Sequence, residues 1–159
     1  MVEHSTPGED GLVPDSTIVW LVHLGTGIPP TEVRGRLQLG ETGLEFTAVP
    51  PGGDTRIEYA DIRRAKRIRG SPVLLVDWQR EGAKRRTAFY FSQPPPLKPV
   101  PRSPTVVPPG PLGPFTRAAP SRRQVARMNL GYLRSTSATN RQLLQEWERA
   151  VSERMSGAS

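Results

Sequence analysis

The sequence contains no cysteine, which excludes disulfide bonds and zinc–thiolate sites. It has only two histidines, His4 and His23, and no G-x-S-x-G motif. Acyl-transfer chemistry needs a nucleophile, a base and an orienting group, and no such set is recognisable. The acidic residues are scattered, and none stand with histidine at the spacing of a metal site. We therefore predict that the protein is not an enzyme and that it uses no cofactor and no metal.

Long hydrophobic runs are also missing. The longest, residues 18–24, includes His23 and falls far short of the roughly 20 residues of a membrane span. Residues 1–32 carry five acidic residues and no Lys or Arg, unlike the basic-then-apolar order of a signal peptide. We predict a soluble, cytoplasmic protein in which residues 1–15 form a disordered acidic leader.

Residues 16–92 consist of short amphipathic segments broken by glycine turns. In residues 33–39 apolar side chains and glycine alternate with polar ones, and residues 44–48 alternate in the same way. The connection from Gly40 to Gly43 fits a hairpin with glycine in the left-handed conformation. About seven such segments have the spacing of an all-β sandwich or barrel.

Three segments within this region have their own patterns. Residues 16–24 are apolar on both sides, which predicts a strand covered on both faces. In residues 86–91, Thr87, Phe89 and Phe91 are predicted to face one way. In residues 61–68 apolar side chains recur at every third position, so a bulged strand and a short helix are both compatible with them.

The last third of the chain changes character. Residues 93–120 contain eleven prolines, which cannot join a sheet or a helix, and residues 93–136 have seven basic residues and no acidic one. We predict a proline-rich basic insertion over 93–136, with a hint of a helical turn at Val125, Met128 and Tyr132. The pattern of residues 137–155 predicts one helix that belongs to the same domain as residues 16–92 and is capped by Ser137 or Thr139. Its apolar stripe is Leu143, Leu144, Trp147, Ala150, Val151 and Met155, with Trp147 as the anchor in the core.

A family resemblance rests on several of these residues. They are Gly35-x-Leu37-x-Leu39, Gly43-Leu44-x-Phe46, Ile62, Gly70-Ser71-Pro72-Val73-Leu74, Phe89-x-Phe91 and Trp147. Over residues 16–92 and 137–155 the chain resembles the small PH-like or GRAM-like proteins of actinobacteria. The resemblance implies a mostly β fold, a PH-like seven-stranded bent sheet or open barrel capped by one C-terminal α-helix. Lipid-binding PH domains hold headgroup phosphates with cations in the loop after the first strand. Residues 25–32 contain no basic residue, so phosphoinositide binding is not implied here.

Basic clusters are the strongest functional signal in the sequence. A cationic patch on neighbouring strands attracts anionic headgroups or phosphates by salt-sensitive forces. The competing interpretation is a solvated surface in which the cations pair with Glu58, Asp61, Asp77 and Glu81. The candidate anion- or lipid-binding residues are Arg34, Arg36, Arg63, Arg64, Lys66, Arg67, Arg69, Arg80, Lys84, Arg85 and Arg86.

These patterns favour a non-enzymatic binding or scaffolding module that engages a protein or peptide partner. The alternative is peripheral attachment to an anionic membrane, at its inner face, through the arginine-rich surface. Nucleic acid is not a favoured partner, because no RNP, helix-turn-helix or basic-zipper pattern is present.

Overall fold

A computed structural model of the chain describes residues 16–25, 31–95 and 122–158. Seven antiparallel strands form one open sheet, and helices follow it in the chain. The predicted mostly β fold with a C-terminal helix is therefore confirmed. The predictions for residues 1–15 and 96–121 lie outside the described residues. The elements are β1 (Thr17–Leu24), β2 (Glu32–Leu39), β3 (Gly43–Ala48), β4 (Thr55–Glu58), β5 (Ile62–Arg67), β6 (Val73–Arg80), β7 (Ala83–Tyr90), α1 (Arg122–Thr139) and α2 (Arg141–Gly157).

The strands lie in the order β4-β3-β2-β1-β7-β6-β5, so the first and last strands of the chain's sheet region are neighbours at its centre. Side chains alternate between the two sides of each strand. We call the side that α2 covers the inner face and the opposite side the outer face. Thr87, Phe89 and Phe91 are buried on the inner face, as predicted. The prediction that β1 is covered on both sides is wrong in part, because Ile18 and Leu24 on the outer face are 40% and 39% exposed.

The inner face and α2 enclose the main hydrophobic core. Trp147 is fully buried, and its ring packs edge-on against the ring of Phe91, with 6.0 Å between the ring centres. Its indole N–H donates a hydrogen bond to the Thr17 hydroxyl at 3.3 Å. Leu144 and Val151 on the same side of α2 are also buried, and Leu143 and Met155 flank them. The predicted stripe and its tryptophan anchor are confirmed, since residues three or four apart share one helix face.

Turns depend on glycine for two different reasons. The β6–β7 hairpin turns at Glu81 and Gly82, whose φ angles of 51° and 78° match the two-residue turn that suits twisted strands. In the β2–β3 connection neither Gly40 nor Gly43 has a positive φ, so the predicted left-handed glycine is wrong there. Gly43 is instead required by crowding, because a Cβ atom would overlap the backbone carbonyl of Ile57 in β4.

Residues 59–68 combine the two structures that the sequence left open. A short 3₁₀ turn over Tyr59–Asp61 leads directly into β5. The pairing of β5 with β6 shifts register between Ile62 and Arg64. Such a bulge places two residues opposite one, which explains why the apolar residues of this segment do not simply alternate.

The helical region differs from the prediction. The described residues contain two helices where one was predicted, and α1 takes up residues 122–136 of the predicted insertion. Ser137 and Thr139 lie inside the end of α1, so neither caps α2, whose N-cap is Asn140. The side chains of Met128, Leu130 and Tyr132 on α1 are 67%, 55% and 42% exposed.

Candidate functional site

Three neighbouring strands bring two aromatic side chains and an arginine into one line on the outer face. Tyr90 of β7 is paired directly with Trp20 of β1, and Trp20 is paired directly with Arg34 of β2. The guanidinium carbon of Arg34 lies 5.8 Å from the centre of the Trp20 ring, within range of a cation–π interaction. We call Tyr90, Trp20 and Arg34 the aromatic row. Both aromatic rings are partly buried, and burial raises the pKa of the Tyr90 phenol above its ordinary value.

A small apolar cluster supports the aromatic row. Its buried members come from β1, β6 and β7, and Tyr90 and Ile68 pack against them. Ile18 and Leu24, at either side along β1, extend the apolar surface to solvent. These residues form an apolar band on the outer face, in which the buried members of the cluster are at most 8% exposed and Ile18 and Leu24 beside them are open to solvent. The buried members of this outer cluster are Val22, Val73, Leu75 and Ala88.

Six of the eleven predicted site residues flank this band. Arg36 is paired with Ile18 on one side of the aromatic row, and Lys66 is paired with Leu75 on the other. Arg64 and Arg86 both lie opposite Asp77 in the ladder. The structure thus brings this part of the predicted set to one face. The six are Arg34, Arg36, Arg64, Lys66, Lys84 and Arg86.

The other five predicted residues lie elsewhere, so the structure does not gather all the cations into one patch. Arg85 reaches over the inner-face Trp78 ring, with its guanidinium carbon 5.5 Å from the ring centre. Arg63 lines a shallow depression beside the end of α2. Arg67 lies at the end of β5, Arg69 lies in the turn between β5 and β6, and Arg80 lies at the end of β6.

Part of the cationic set is neutralised by acidic neighbours. Nε of Arg86 lies 2.5 Å from a carboxylate oxygen of Asp77, and this hydrogen bond and charge raise the pKa of Arg86. Arg67 pairs with Glu148 at 3.3 Å and Arg80 pairs with Asp61 at 3.8 Å. Among the acids of the described residues, none lies within ion-pair distance of the remaining predicted cations, which are Arg34, Arg36, Arg63, Arg64, Lys66, Arg69, Lys84 and Arg85.

A separate cavity of about 630 Å³ lies where the β5–β6 turn meets the junction of α1 and α2. Three arginines line it, Arg67 and Arg69 from the sheet side and Arg141 from the first turn of α2. Glu148 is the acidic residue in its lining, and both of its carboxylate oxygens contact Arg67. Arg141 was not predicted as a site residue, because nothing in the sequence pattern indicates that the start of α2 lies beside the β5–β6 turn.

His23 has a structural environment and no catalytic partner among the described residues. Its Nδ1 lies 3.1 Å from the Thr87 hydroxyl, which also accepts a hydrogen bond from the Trp78 indole N–H at 3.1 Å. Burial, and secondarily the charge of Arg85, lowers the pKa of the His23 ring. In the neutral tautomer with its proton on Nε2, the ring accepts a hydrogen bond at Nδ1 from the hydroxyl of the buried Thr87.

Two kinds of feature are absent from the described residues. No group of three or more His, Asp or Glu side chains comes together as a metal-ligand set there. None of the helices in the described part of the chain is both long enough and apolar enough to cross a membrane. A scan against models of protein families and a search among curated proteins give no match to the chain.

Proposed function

We propose that the protein is a non-enzymatic binding module whose outer face holds an acidic segment of a partner protein. The observation that carries this proposal is the aromatic row, in which Tyr90, Trp20 and Arg34 are direct cross-strand neighbours. Tryptophan, tyrosine and arginine are the residues that most often dominate the energy of protein interfaces. Here Arg34 is exposed and Trp20 and Tyr90 are partly exposed beside it, so one partner segment can contact all three.

The charges around the band define the chemistry of the partner. Arg34, Arg36 and Lys66 flank it without an ion pair to the described acids, and Asp77 is already bound by Arg86. Cations at the rim of an interface steer acidic partners and suppress basic ones, while apolar contacts supply most of the affinity. The expected partner segment therefore has apolar side chains at its centre and Asp or Glu at its ends.

Extended binding along the sheet edge is less suited to this site than docking onto its face. The aromatic row crosses β7, β1 and β2, which are central strands with both edges paired. Main-chain hydrogen bonds to these strands are therefore already used within the sheet. Recognition has to come from side chains, which is why truncation of Trp20 or Arg34 is the direct test.

The first experiment is a selection of random displayed peptides on the full chain, followed by titration of an enriched synthetic peptide. We expect enriched peptides to combine large apolar residues with Asp and Glu. Trp20→Ser is expected to weaken the enriched peptide by about tenfold or more, as truncation of a dominant interface aromatic does. Arg34→Ser is expected to weaken it as well and to reduce its dependence on salt.

Matched controls separate the outer face from the rest of the surface. Met128→Ser removes an exposed apolar side chain on α1, and Arg149→Ser removes an exposed cation on α2. Both variants are expected to bind the peptide as the unchanged chain does. Enrichment of peptides that bind Trp20→Ser and Met128→Ser equally well would contradict the proposal.

Attachment to an anionic membrane is the second candidate, and the same face favours it. Ile18 and Leu24 are exposed beside cations that have no ion pair with the described acids, an arrangement that suits the headgroup region of a bilayer. In this alternative the protein lies at the inner face of the cell membrane. For either partner we propose that the chain belongs to the PH-like or GRAM-like proteins that its sequence resembles.

Co-sedimentation with vesicles tests the membrane candidate. Phosphatidylcholine vesicles with and without phosphatidylserine are compared at low and physiological salt. Membrane attachment predicts binding to the anionic vesicles alone, lost when Arg36 and Lys66 are replaced by Glu. Absence of binding at low salt would reject the membrane candidate and leave the protein segment as the proposed partner.

A further inference from the structure

The cavity between the β5–β6 turn and the helix junction has an excess of positive charge facing one space. Among the described residues Arg67, Arg69 and Arg141 line it, against one acidic residue, Glu148. Both carboxylate oxygens of Glu148 already contact Arg67. One accepts a hydrogen bond from the Arg67 backbone N–H at 3.1 Å, and the other lies 3.3 Å from the Arg67 Nε. Arg69 and Arg141 have no ion pair with the acids of the described residues, so their charge is available to a ligand.

Hydroxyl groups complete the polar lining. Ser71 contributes from the β5–β6 turn and Ser137 from the last turn of α1, on opposite sides of the cavity. The side chain of Leu144, which is 2% exposed, forms part of the lining from α2. Arginine forks and serine hydroxyls together match the oxygens of a phosphate group, which accepts several hydrogen bonds from different directions.

The walls of the cavity are held in place by backbone hydrogen bonds on one side and by the hydrophobic core on the other. On the sheet side, the turn is closed by bonds from the Ile68 N–H to the Val73 carbonyl at 2.9 Å and from the Ser71 N–H to the Ile68 carbonyl at 3.1 Å. On the helix side, α2 is anchored by the buried Leu144 and Trp147. The backbone on both sides of the cavity is therefore fixed before binding, which reduces the entropy lost when a ligand arrives.

We propose that this cavity is a binding site for a phosphate-bearing small molecule, with Arg69, Arg141, Ser71 and Ser137 as its contacts. A volume of about 630 Å³ is within the range of small-molecule sites, so the ligand can be larger than inorganic phosphate itself. The site lies on the α2 side of the sheet and shares no residue with the aromatic row, so it is independent of the function proposed above. The phosphate group can belong to a soluble metabolite or to a lipid headgroup.

The test uses inorganic pyrophosphate as the probe, followed through backbone amide NMR signals of the full chain. We expect saturable shifts at Arg69, Gly70 and Ser71 in the turn and at Ser137 and Arg141 in the helices. The variant carrying Arg69→Ser and Arg141→Ser is expected to bind pyrophosphate at least about tenfold more weakly, since charge-assisted contacts to two guanidinium groups are lost. Shifts spread evenly over the basic surface, with none concentrated at the cavity, would overturn the proposal.

A charge-matched control and a vesicle arm complete the design. The variant carrying Arg63→Ser and Lys84→Ser loses the same charge outside the cavity and is expected to bind pyrophosphate normally. An equal loss in both double variants would show only general attraction to a cationic protein and would overturn the site. Phosphatidylcholine vesicles containing phosphatidic acid distinguish the source of the phosphate group. Binding to them that is lost only in the Arg69 and Arg141 variant would assign the site to a lipid headgroup, and pyrophosphate binding without vesicle binding would assign it to a soluble ligand.

Discussion

The two faces of this sheet carry similar side chains but have different surroundings. On the inner face Trp147 of α2 is fully buried between Phe91 and Thr17, and the apolar residues form one enclosed core. On the outer face Trp20 and Tyr90 are partly buried beside exposed Ile18 and beside Arg36, which has no ion pair with the acids of the described residues. The comparison indicates that the tryptophan on the inner face holds the fold together, and it leaves the tryptophan on the outer face open to the partner that we propose.

Removal of the inner tryptophan is the strongest way to test this contrast. Trp147→Ala is expected to lower the free energy of unfolding by about 3–5 kcal/mol, because it leaves a large cavity under α2. Trp147→Phe keeps most of the apolar volume and is expected to cost clearly less. Chemical denaturation of the three proteins measures both values. A loss below about 1 kcal/mol in the alanine variant would show that α2 is not essential to the core.

Gly35 tests whether the inner face is as tightly packed as the structure shows. A Cβ atom there would overlap the Phe46 ring and the backbone carbonyl of Thr47. Gly35→Ala is therefore expected to destabilise the protein by about 1–3 kcal/mol, the usual cost of overpacking. Gly131→Ala is the control, since a Cβ atom at that position in α1 meets nothing within 4 Å. Equal stability of the two variants in thermal denaturation would contradict a close-packed inner face.

The outer tryptophan sharpens the comparison from the other side. Trp20→Ser is expected to change the free energy of unfolding by less than about 1 kcal/mol, because the residue is partly exposed and supports no helix. The same denaturation experiment as for Trp147→Ala measures it. A loss similar to that of Trp147→Ala would mean that the outer face is a second structural core.

The smallest expected effect concerns His23 at the edge of the inner face. Its folded pKa is lowered, so between that value and the ordinary value of 6.5 the unfolded chain binds more protons than the folded one. The neutral His23 ring therefore contributes its full share of the free energy of unfolding above pH 6.5. That contribution is lost as the pH falls from 6.5 through the folded pKa. His23→Gln is neutral throughout and is expected to flatten the dependence of thermal stability on pH below 6.5. An unchanged pH dependence would contradict a His23 pKa lowered by burial and by the charge of Arg85.

Much of the fold was predictable because it depends on local alternation. The inward residues of β2, β3 and β7 and the stripe on α2 follow directly from periods of two and 3.6. Helix α1 was largely missed because proline content dominated the assignment of residues 93–136, and only three apolar residues signalled a helical turn. The aromatic row was missed for a different reason. Alternation places Trp20 outward, but only the register between β1, β2 and β7 shows that Tyr90 and Arg34 are its neighbours.

The cation clusters show the same limit. Arg63, Arg64, Lys66, Arg67 and Arg69 are close in sequence, yet the bulge, the alternation and the turn send them to different places. Of the acids named in the competing interpretation, Asp61 pairs with Arg80 and Asp77 with Arg86, whereas Glu58 pairs with Arg56, which is not one of the predicted site residues. Spacing along the chain therefore identified the basic residues but not the surfaces that they form.

The most direct test of the outer face uses the tryptophan fluorescence of the full chain. Trp78 and Trp147 are 6% and 0% exposed, so a water-soluble quencher reaches mainly Trp20. We predict that acrylamide quenching falls when the enriched acidic peptide binds and that it is already low in Trp20→Phe. A peptide that binds the chain while leaving the quenching of Trp20 unchanged would contradict the assignment of the outer face as the binding surface.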